Sequence, residues 1–415
     1  MSEMTMARAA ISTPIVTLSD TEGRIDMTKM RRYRMDRLRR QIRAQGYGAG
    51  LFFDPINIRY ATGRRGHPTF GLHIAGRSVF VPADGPVVMF DAASGERMVG
   101  PLEMIDEFRT NKPLSYFFGG DRTREHAKWH AKEIAALMKK HARGNKRIAL
   151  DRIDLYLLRA LESHGLEATD GQETAERARS IKSPEEIMCM KFSIAAAEAG
   201  MGRMRAMLWP GITENELWSH LHQVNIAMGG EWIDARLLAS GDRSNPWGQE
   251  SSDRVISAGE IVAFDTDMVG PFGYCADISR TFLCPPGKPT AKQKDLYKTA
   301  YEQLEHNLHI LKAGMSFHDY ARKTWKMPKK LQPNRYMVAA HGIGMCDEYP
   351  SIYYPMDWER TGFDGVIEEN MTICVESYVG PVGEREGVKL EHQVLVTAKG
   401  PIVLSTFPFE EDFLK

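Results

Sequence analysis

The chain has 415 residues, more than one ordinary hydrophobic core requires, so two domains are expected. Apolar residues make up 43% and charged residues 26% of the sequence, which is typical of a globular protein and excludes a disordered chain. Lys and Arg together number 54, as do Asp and Glu, so no net field attracts nucleic acid or an anionic membrane.

The first predicted element is an amphipathic helix over residues 27–45, preceded by a loose N-terminal arm over residues 1–26. One side of this helix is apolar and the rest carries seven arginines. Because the chain as a whole is neutral, we interpret the arginine-rich side as a solvated or subunit-contacting face rather than a nucleic-acid-binding face. The apolar side consists of Met30, Tyr33, Leu38 and Ile42.

Strands and helices then alternate irregularly up to about residue 170. This mixture predicts a small α/β domain over residues 27–172. The predicted strands cover residues 51–53, 79–81, 87–90 and 148–150, and the predicted helices cover 122–141 and 155–164.

A second domain is predicted over residues 173–415. Ser183 is a suitable N-cap, with Pro184 in the first turn and Glu186 completing a capping box, which predicts a helix up to about Met207. Another capping box begins at Thr213 and predicts a helix up to about residue 228. Further helices are predicted over residues 292–311 and 317–325, and strands occupy most of the remainder.

Three aspartates surround a predicted hairpin in the second domain. An apolar strand runs directly into Asp265 and Asp267, which lie on one face of a sheet if the strand continues through both. A turn at residues 270–273 brings Asp277 back alongside. Because buried unpaired carboxylates are costly, we expect a cation between them. The alternatives are an exposed acidic turn or a DxD motif that binds a metal–nucleotide complex.

Polar residues interrupt the later strands as well. His341 precedes a glycine-rich turn, although a lone histidine is more often structural. Glu376 and Glu391 each interrupt an apolar strand, and the glycine-rich residues 380–387 can fold these strands together. No run of Lys or Arg answers the two charges, so we expect the glutamates to share a cationic partner. An oxygen-dominated set of this kind suits Mn, Fe(II), Co or Zn, and two ions offset its charge better than one.

Four segments resemble the ligand-bearing segments of pita-bread metalloenzymes, the family of creatinase, aminopeptidase P, prolidase and methionine aminopeptidase. The resemblance covers about residues 30–405 and implies a two-domain α/β fold. Its parts are a small N-terminal creatinase-like α/β domain and a C-terminal α+β pita-bread domain. The segments are DISRTF (277–282), HGIG (341–344), CVESY (374–378) and KLEHQVLVT (389–397).

The same resemblance implies a set of metal ligands and an assembly. Two divalent metal ions, of Fe, Mn, Co or Zn, are expected in the site. The family forms homodimers, in which the N-terminal domain of one chain closes over the partner's site. The implied ligands are Asp265, Asp267 or both, together with Asp277, His341, Glu376 and Glu391.

The peptidases of this family use two histidines that are missing from this chain. One lies in the segment before the first metal aspartate, here residues 239–247, which contain no histidine. The other lies seven residues after the metal histidine, where this chain has Glu348. Losing both proton-shuttling groups argues against an ordinary Xaa-Pro peptidase.

Other segments are similar to dimethylsulfoniopropionate lyases of the DddP type, which share the pita-bread scaffold. The likeness implies Asp347 and Tyr336 as catalytic residues, and Trp247 and Glu348 as substrate-binding residues. Asp347 takes a proton from the carbon beside the substrate carboxylate, so that dimethyl sulfide leaves and acrylate remains. Trp247 and Tyr336 either contact the sulfonium through cation–π interaction or simply pack in the wall. The segments are DPINIRYAT (54–62), LLASG (237–241), NPW (245–247), FDTD (264–267) and CDEYP (346–350).

One stretch departs from those lyases. Residues 63–73 carry Arg64, Arg65, His67 and His73, which favour a more anionic or differently shaped substrate. Elimination or hydrolysis of another small carboxylate therefore stays open, as does an Xaa-Pro aminopeptidase or prolidase-like activity. A catalytically inactive binding module on the same scaffold is a third possibility, although such relatives lose ligand residues that this chain keeps.

Composition also bears on location. The longest apolar runs are strand-sized and residues 1–20 lack a continuous apolar segment, so neither a membrane span nor a signal peptide is expected. The five cysteines are scattered, without a CxxC pair, which favours reduced thiols in a cytoplasmic protein.

Overall fold

The structure is a computed structural model that describes residues 23, 25–66, 68–152 and 154–415. The predicted arm over residues 1–26 lies almost entirely outside the described residues, as does His67. Two units are formed, Asp26–Arg179 and Ser180–Lys415. The division falls seven residues after the predicted one because a helix over Gln172–Arg179 packs against the first helix of the N-terminal unit.

The N-terminal unit contains a mixed six-stranded sheet. Strands β1 and β5 are parallel, as are β5 with β6 and β3 with β4, whereas β2 pairs with β1 and β3 in antiparallel fashion, giving the order β4-β3-β2-β1-β5-β6. These strands confirm the α/β prediction. Their bounds are β1 Ala49–Phe52, β2 Ser78–Pro82, β3 Val88–Asp91, β4 Glu107–Thr110, β5 Arg147–Leu150 and β6 Glu167–Asp170.

Helices cover the sheet and supply much of its core, with Ile134, Leu137 and Leu161 buried against Leu51 and Phe80. The predicted helices at 27–45, 122–141 and 155–164 are confirmed to within one residue at either end. The bounds are α1 Met27–Ala44, α2 Pro55–Thr62, α3 Pro68–His73, α4 Glu96–Val99, α5 Tyr116–Gly119, α6 Thr123–His141, α7 Leu155–Ser163 and α8 Gln172–Arg179.

The arginines of α1 bind their own unit. Arg31 forms a salt bridge with Glu103 at 2.8 Å. Arg37 and Arg43 donate hydrogen bonds to backbone carbonyl oxygens of α8 and of the loop after β2. These side chains therefore tie the helix to its neighbours, a role that the sequence analysis did not consider.

The C-terminal unit is built mainly from antiparallel strands. Their bounds are β7 Trp232–Ile233, β8 Leu238–Ser240, β9 Ile261–Asp265, β10 Met268–Val269, β11 Cys275–Ala276, β12 Ser279–Leu283, β13 Val338–Ile343, β14 Asp347–Tyr353, β15 Thr372–Val379, β16 Val388–Thr397 and β17 Gly400–Val403. The largest sheet has the order β14-β13-β15-β16-β17, and two three-stranded sheets have the orders β11-β10-β7 and β12-β9-β8.

The helices of this unit begin where their capping residues predict. Ser183 and Thr213 each accept a hydrogen bond from the backbone of the glutamate three residues on, which caps them in return. Both capping boxes are therefore confirmed. The bounds are α9 Pro184–Met207, α10 Glu214–Ala227, α11 Ala291–Ile310, α12 Phe317–Lys323, α13 Pro355–Thr361 and α14 Glu411–Leu414.

Helix α11 packs on one face of the five-stranded sheet. Leu296 and Leu304 are buried there together with Val375 and Leu390 of β15 and β16. Because successive strand residues point to opposite faces, the residues between these apolar positions point away from the helix. That opposite face carries Cys374 and Glu376 of β15 and Lys389 and Glu391 of β16.

Candidate metal centre

The five-stranded sheet aligns three of the predicted ligands. In the register of β15 and β16, Glu376 lies directly opposite Glu391. On the other side of β15, His341 of β13 lies opposite Cys374, two residues from Glu376 and on the same face. The glycine-rich loop between β15 and β16 therefore folds the two glutamate strands together, as the sequence predicts.

The aspartates come from the neighbouring hairpin. Asp265 ends β9 and pairs with Ser279 of β12, while Asp277 lies just before β12. Asp267 does not continue the strand: its backbone has φ +36°, a left-handed conformation that costs a non-glycine residue energy. The side chain of Asp267 thus reaches the cluster through a strained turn and not, as expected, by strand alternation.

All six predicted ligands converge. His341 Nε2 lies 3.3 Å from Glu376 Oε1, 3.5 Å from Asp277 Oδ2 and 3.9 Å from Glu391 Oε1. Their ligand atoms form overlapping groups, within each of which every atom lies within 4.8 Å of the others. The groups are Asp277 with His341, Cys374 and Glu391; Asp265 with Glu376 and Glu391; and Asp265 with Asp267 and Asp277.

A lysine that the sequence analysis overlooked lies among the carboxylates. The Lys389 ammonium is 2.8 Å from Asp265 Oδ2, 2.5 Å from Glu376 Oε2 and 3.5 Å from Glu391 Oε2. Burial by itself lowers the pKa of Lys389, but the three carboxylates raise it well above its ordinary value, so the side chain stays charged. The glutamates thus share a cation as expected, but part of that role falls to a single lysine of the chain rather than to bound ions alone. The available signal was the spacing, since Lys389 and Glu391 share a strand face.

Three other carboxylate oxygens of the cluster have no hydrogen-bond donor among the described residues. Asp265 Oδ1, Asp277 Oδ1 and Glu391 Oε1 are buried and accept no hydrogen bond from any described residue. Buried carboxylate oxygens are normally satisfied, and hard oxygen donors are what divalent Mn, Fe, Co and Zn accept beside an imidazole. The residues present therefore fit metal ions, whose coordination would satisfy these oxygens.

The imidazole of His341 is oriented so that one ring nitrogen can bind a metal ion. Its Nδ1 lies 3.1 Å from the Gly342 carbonyl oxygen, so a neutral ring donates there and presents the Nε2 lone pair to the cluster. Without ions, burial lowers the pKa of His341, but Glu376, Asp347 and Glu391 outweigh it and raise the pKa to about 10. The protonated ring then serves as a counter-charge.

Burial and repulsion between the carboxylates change the pKa values of the acids in the cluster. Burial, followed by the charges of neighbouring carboxylates, raises the pKa values of Asp267, Asp277 and Glu391 well above the ordinary range. Burial also opposes ionisation of Asp265, but Lys389 prevails and lowers the pKa of that carboxyl. In the absence of ions the cluster thus holds protons that metal binding must displace.

Adjacent residues Asp347 and Glu348 have opposite environments. The Asp347 side chain is 68% exposed, with Oδ1 3.9 Å from His341 Nδ1, which places it beside the cluster and open to a substrate. Glu348 points to the other face of β14, where its carboxylate forms a buried 3.0 Å salt bridge with Lys182 and accepts a hydrogen bond from the Met345 backbone. The structure does not bring Glu348 to the cluster.

Trp247 and Tyr336 flank the cluster. The Lys389 ammonium lies 5.5 Å from the centre of the Trp247 ring and 5.3 Å from that of Tyr336. Burial, and then the charge of Glu376, raise the pKa of the Tyr336 phenol, so it stays protonated and is a donor rather than a base. Both predicted aromatic residues therefore border the site, already facing one cation.

Comparison with known proteins places this site in a family. Residues 188–398 match the model of metallopeptidase family M24, and residues 34–181 match the creatinase/prolidase N-terminal domain. The carboxylate–histidine cluster and the pita-bread fold define a metal-dependent enzyme. The chain belongs to metallopeptidase family M24.

Similar curated proteins span almost the whole chain. The dimethylsulfoniopropionate lyase DddP of Roseobacter denitrificans is 38% identical over 93% of this chain and 87% of its own length. The protein of the same name from Roseovarius nubinhibens is 37% identical over the same shares. A putative dipeptidase of Bacillus subtilis, YkvY, is 26% identical over 59% of this chain and 65% of its own length.

Solved structures share the fold at lower identity. The Xaa-Pro dipeptidase of Bacillus anthracis superposes with a TM-score of 0.73 and 22% identity, covering 92% of this chain and 99% of that one. This likeness bears on the fold alone. Among the described residues, no helix is both long and apolar enough to cross a bilayer.

Proposed function

We propose that the chain is a lyase that cleaves the C–S bond of dimethylsulfoniopropionate, releasing dimethyl sulfide and acrylate. The observation that carries this proposal is the exposed Asp347 carboxylate beside a buried metal-ligand cluster, in a chain 38% identical to a lyase of that name. The proposed ligands are Asp265, Asp267, Asp277, His341, Glu376 and Glu391.

Charge balance supports two divalent ions. The five ligand carboxylates contribute −5 and Lys389 contributes +1, which leaves −4. Two divalent cations contribute +4 and bring the buried site to neutrality when the His341 ring is neutral. Since uncompensated buried charge is costly, two ions suit this site better than one. Fe, Mn, Co and Zn all accept such ligands.

Metal ions held by the six proposed ligands would supply a positive field for the substrate carboxylate and for the negative charge that develops beside it. Asp347 removes the proton from the carbon next to that carboxylate. The C–H electron pair forms the carbon–carbon double bond, and the C–S bond breaks with its electrons leaving on dimethyl sulfide. Desolvation by the adjacent cluster and repulsion by Asp265 and Glu376, partly offset by His341, raise the pKa of the Asp347 carboxyl, which strengthens it as a base.

The aromatic pair completes the pocket. Trp247 and Tyr336 turn ring faces toward the cluster, where the methyl groups of a sulfonium find both apolar surface and a cation–π partner. Lys389 does not repel the substrate strongly, because three carboxylates neutralise it. Tyr336, protonated and next to the ligands, is placed to donate a hydrogen bond to the substrate carboxylate.

An Xaa-Pro peptidase is the second candidate, favoured by the likeness to dipeptidases. The resemblance assigns the position of Glu348 to a peptidase histidine, and here that side chain is bound to Lys182 away from the cluster. Residues 239–247 likewise provide no histidine. These substitutions leave hydrolysis without its proton-transfer groups.

The proposal extends to assembly and location. We infer a homodimer with a small carboxylate as substrate and neither nucleic acid nor membrane as partner. The free thiols of Cys275, Cys284 and Cys374 support a reducing, cytoplasmic location. Sedimentation of the purified chain measures the oligomeric state directly.

Two parallel assays test the reaction. The metal-loaded chain is incubated with dimethylsulfoniopropionate, with headspace dimethyl sulfide measured by gas chromatography, and separately with an Xaa-Pro dipeptide, with free proline measured. The proposal expects sulfide without proline. Proline without sulfide would establish the peptidase, and neither product, despite two bound metal ions per chain, would point to another small carboxylate.

A further inference from the structure

A cleft in the N-terminal unit has the opposite charge imbalance to the metal centre. Its volume is about 550 Å³, and its polar lining contains three arginines, Arg64, Arg65 and Arg77, but only one carboxylate, Asp91. Arg64 and Arg77 share this one carboxylate, so the pair carries one positive charge more than Asp91 balances. It lies in the stretch after α2 where the sequence departs from the lyases.

The single carboxylate is shared. Asp91 Oδ2 lies 3.3 Å from Arg64 Nη2 and 3.6 Å from Arg77 Nε, both longer than a charge-assisted hydrogen bond. Asp91 Oδ1 accepts the backbone N–H of Ala92 at 2.8 Å. The carboxylate thus positions the two guanidinium groups without saturating either.

The arginines have donors left over. Arg64 Nε is buried and has no hydrogen-bond partner among the described residues. Other donors are taken by the chain itself, since Arg64 Nη1 and Arg77 Nη1 both donate to the Arg65 carbonyl oxygen, at 2.6 and 3.3 Å. A buried unmatched donor on a cation is uncommon and is satisfied by an anionic acceptor.

The backbone around these groups is held close. A Cβ atom on Gly66 would lie 2.9 Å from Arg77 Nη1, and one on Gly95 would lie 2.9 Å from Asp91 Oδ2. Both distances are shorter than ordinary Cβ contacts, so a side chain at either position would displace the charged group beside it. Glycine at these two positions therefore lets the backbone pass close to Arg77 and Asp91.

An apolar recess continues from the charged part. A cavity of about 130 Å³ shares Gly66, Arg77, Asp91 and Ala92 with the cleft. Its apolar wall includes the half-exposed rings of Phe70 and Phe118, 45% and 51% accessible, whose centroids lie 6.0 Å apart, together with buried Ile74.

We propose that this cleft binds a small organic carboxylate, with the anionic group against Arg64 and Arg77 and the aliphatic part against Phe70, Ile74 and Phe118. The two halves of the cavity match the two halves of such a ligand: uncompensated guanidinium charge at one end and apolar surface at the other. All of these residues belong to the N-terminal unit, and carboxylate binding there does not depend on the lyase reaction.

Calorimetric titration of the full metal-loaded chain with butyrate tests this site. Butyramide has the same shape without the charge, and inorganic phosphate has charge without the apolar part. Besides any butyrate bound at the metal centre, we expect one saturable butyrate site, at which butyramide and phosphate each bind at least about tenfold more weakly, because each lacks one half of the match. A weak single-site ligand saturates at a concentration on the order of tens of millimolar. The proposal would be overturned if butyrate did not saturate in that range, or if phosphate bound as tightly as butyrate.

Variants locate the binding. Arg77→Gln should raise the butyrate Kd at least about tenfold by removing a charged donor, and Phe118→Ala, a half-exposed position with little risk to folding, should weaken it severalfold. The matched control Arg143→Gln removes an exposed arginine of the same unit and should leave the Kd unchanged. Asp277→Asn, at the candidate metal centre, should also leave it unchanged. Butyrate affinities that are unchanged in both Arg77→Gln and Phe118→Ala, or loss of all butyrate binding in Asp277→Asn, would place the ligand at the metal centre alone and contradict the inference.

Discussion

Two glutamates of the C-terminal unit are equally buried but differently satisfied. Glu214 and Glu391 are each 0% exposed. Glu214 accepts hydrogen bonds on both oxygens, from the backbone N–H and hydroxyl groups of Ser240 and Ser252, and pairs with Arg243. Glu391 leaves Oε1 without any partner among the described residues.

This contrast separates a structural carboxylate from a functional one. Burial and residue type are the same in both, so neither identifies the metal centre. What differs is the unfilled acceptor capacity, which Glu391 has in common with Asp265 and Asp277 of the same cluster. A buried acid whose hydrogen bonds are complete holds the fold together, whereas one with oxygens left over marks a place for a cation.

The largest expected effect concerns Asp347, which lies beside the open cluster but outside the ligand groups. Asp347→Asn should lower sulfide release by about 10³-fold, the usual contribution of a general base, while the metal content remains that of the wild type. Gas chromatography and elemental analysis measure the two quantities. Asp295→Asn, on the exposed side of α11, is the control. Loss of metal along with activity would make Asp347 a ligand instead.

The next effect concerns the cation inside the cluster. Lys389→Met should lower the free energy of unfolding of the metal-free chain by about 3–5 kcal/mol, because three buried carboxylates lose their partner. Urea denaturation in the presence of a chelator measures this. Lys399→Met removes an exposed lysine two residues beyond the end of β16 and should change little. Equal stability of the two variants would mean that Lys389 contributes nothing to holding the acids.

Replacing each glutamate in turn tests the comparison itself. Glu214→Gln should destabilise the fold by about 3 kcal/mol, since the amide group faces donors that required an acceptor. Glu391→Gln should leave the metal-free chain within about 1 kcal/mol of the wild type, because lost repulsion offsets the lost contacts. It should nevertheless lower the bound metal per chain. Similar unfolding energies for the two variants, with metal retained in both, would remove the distinction between them.

The smallest expected effect is on the pH dependence of metal binding. In the metal-free chain the pKa of His341 is raised to about 10, so the ring is protonated at neutral pH and must lose that proton when Nε2 binds an ion. Between pH 6.5 and 9 this group alone should make affinity rise about tenfold per pH unit. Calorimetry in two buffers of different ionisation enthalpy counts the protons. Release of none on metal binding would rule out His341 as a ligand that titrates in this way.

The helix starts and the two glutamate positions could be predicted because they depend on local sequence patterns. The capping boxes at Ser183 and Thr213 depend on residues three apart, and the helices begin there. Glu376 and Glu391 were recognisable because each interrupts an apolar strand. Convergence of all six proposed ligands followed from their order along the chain and the family resemblance, not from any local rule.

Features set by register and backbone were not predictable. A shift in the pairing of β13 and β14 falls between His341 and Gly342, so counting residues after His341 does not tell which face Glu348 occupies. Asp267 reaches the cluster through a left-handed turn. Lys389 stands outside any run of basic residues, and its single ammonium contacts three acids only because the strands bring them together.

The direct opposition of Glu376 and Glu391 across two strands has a consequence for biogenesis. Sliding one strand by a single position turns its carboxylate to the helix side of the sheet, so only correctly matched strands can capture ions. With Glu376 and Glu391 as proposed ligands, binding of metal ions therefore requires correct alignment of the two strands. Mispaired chains remain unloaded and can be told apart, even within a mixed preparation, by their lack of bound metal.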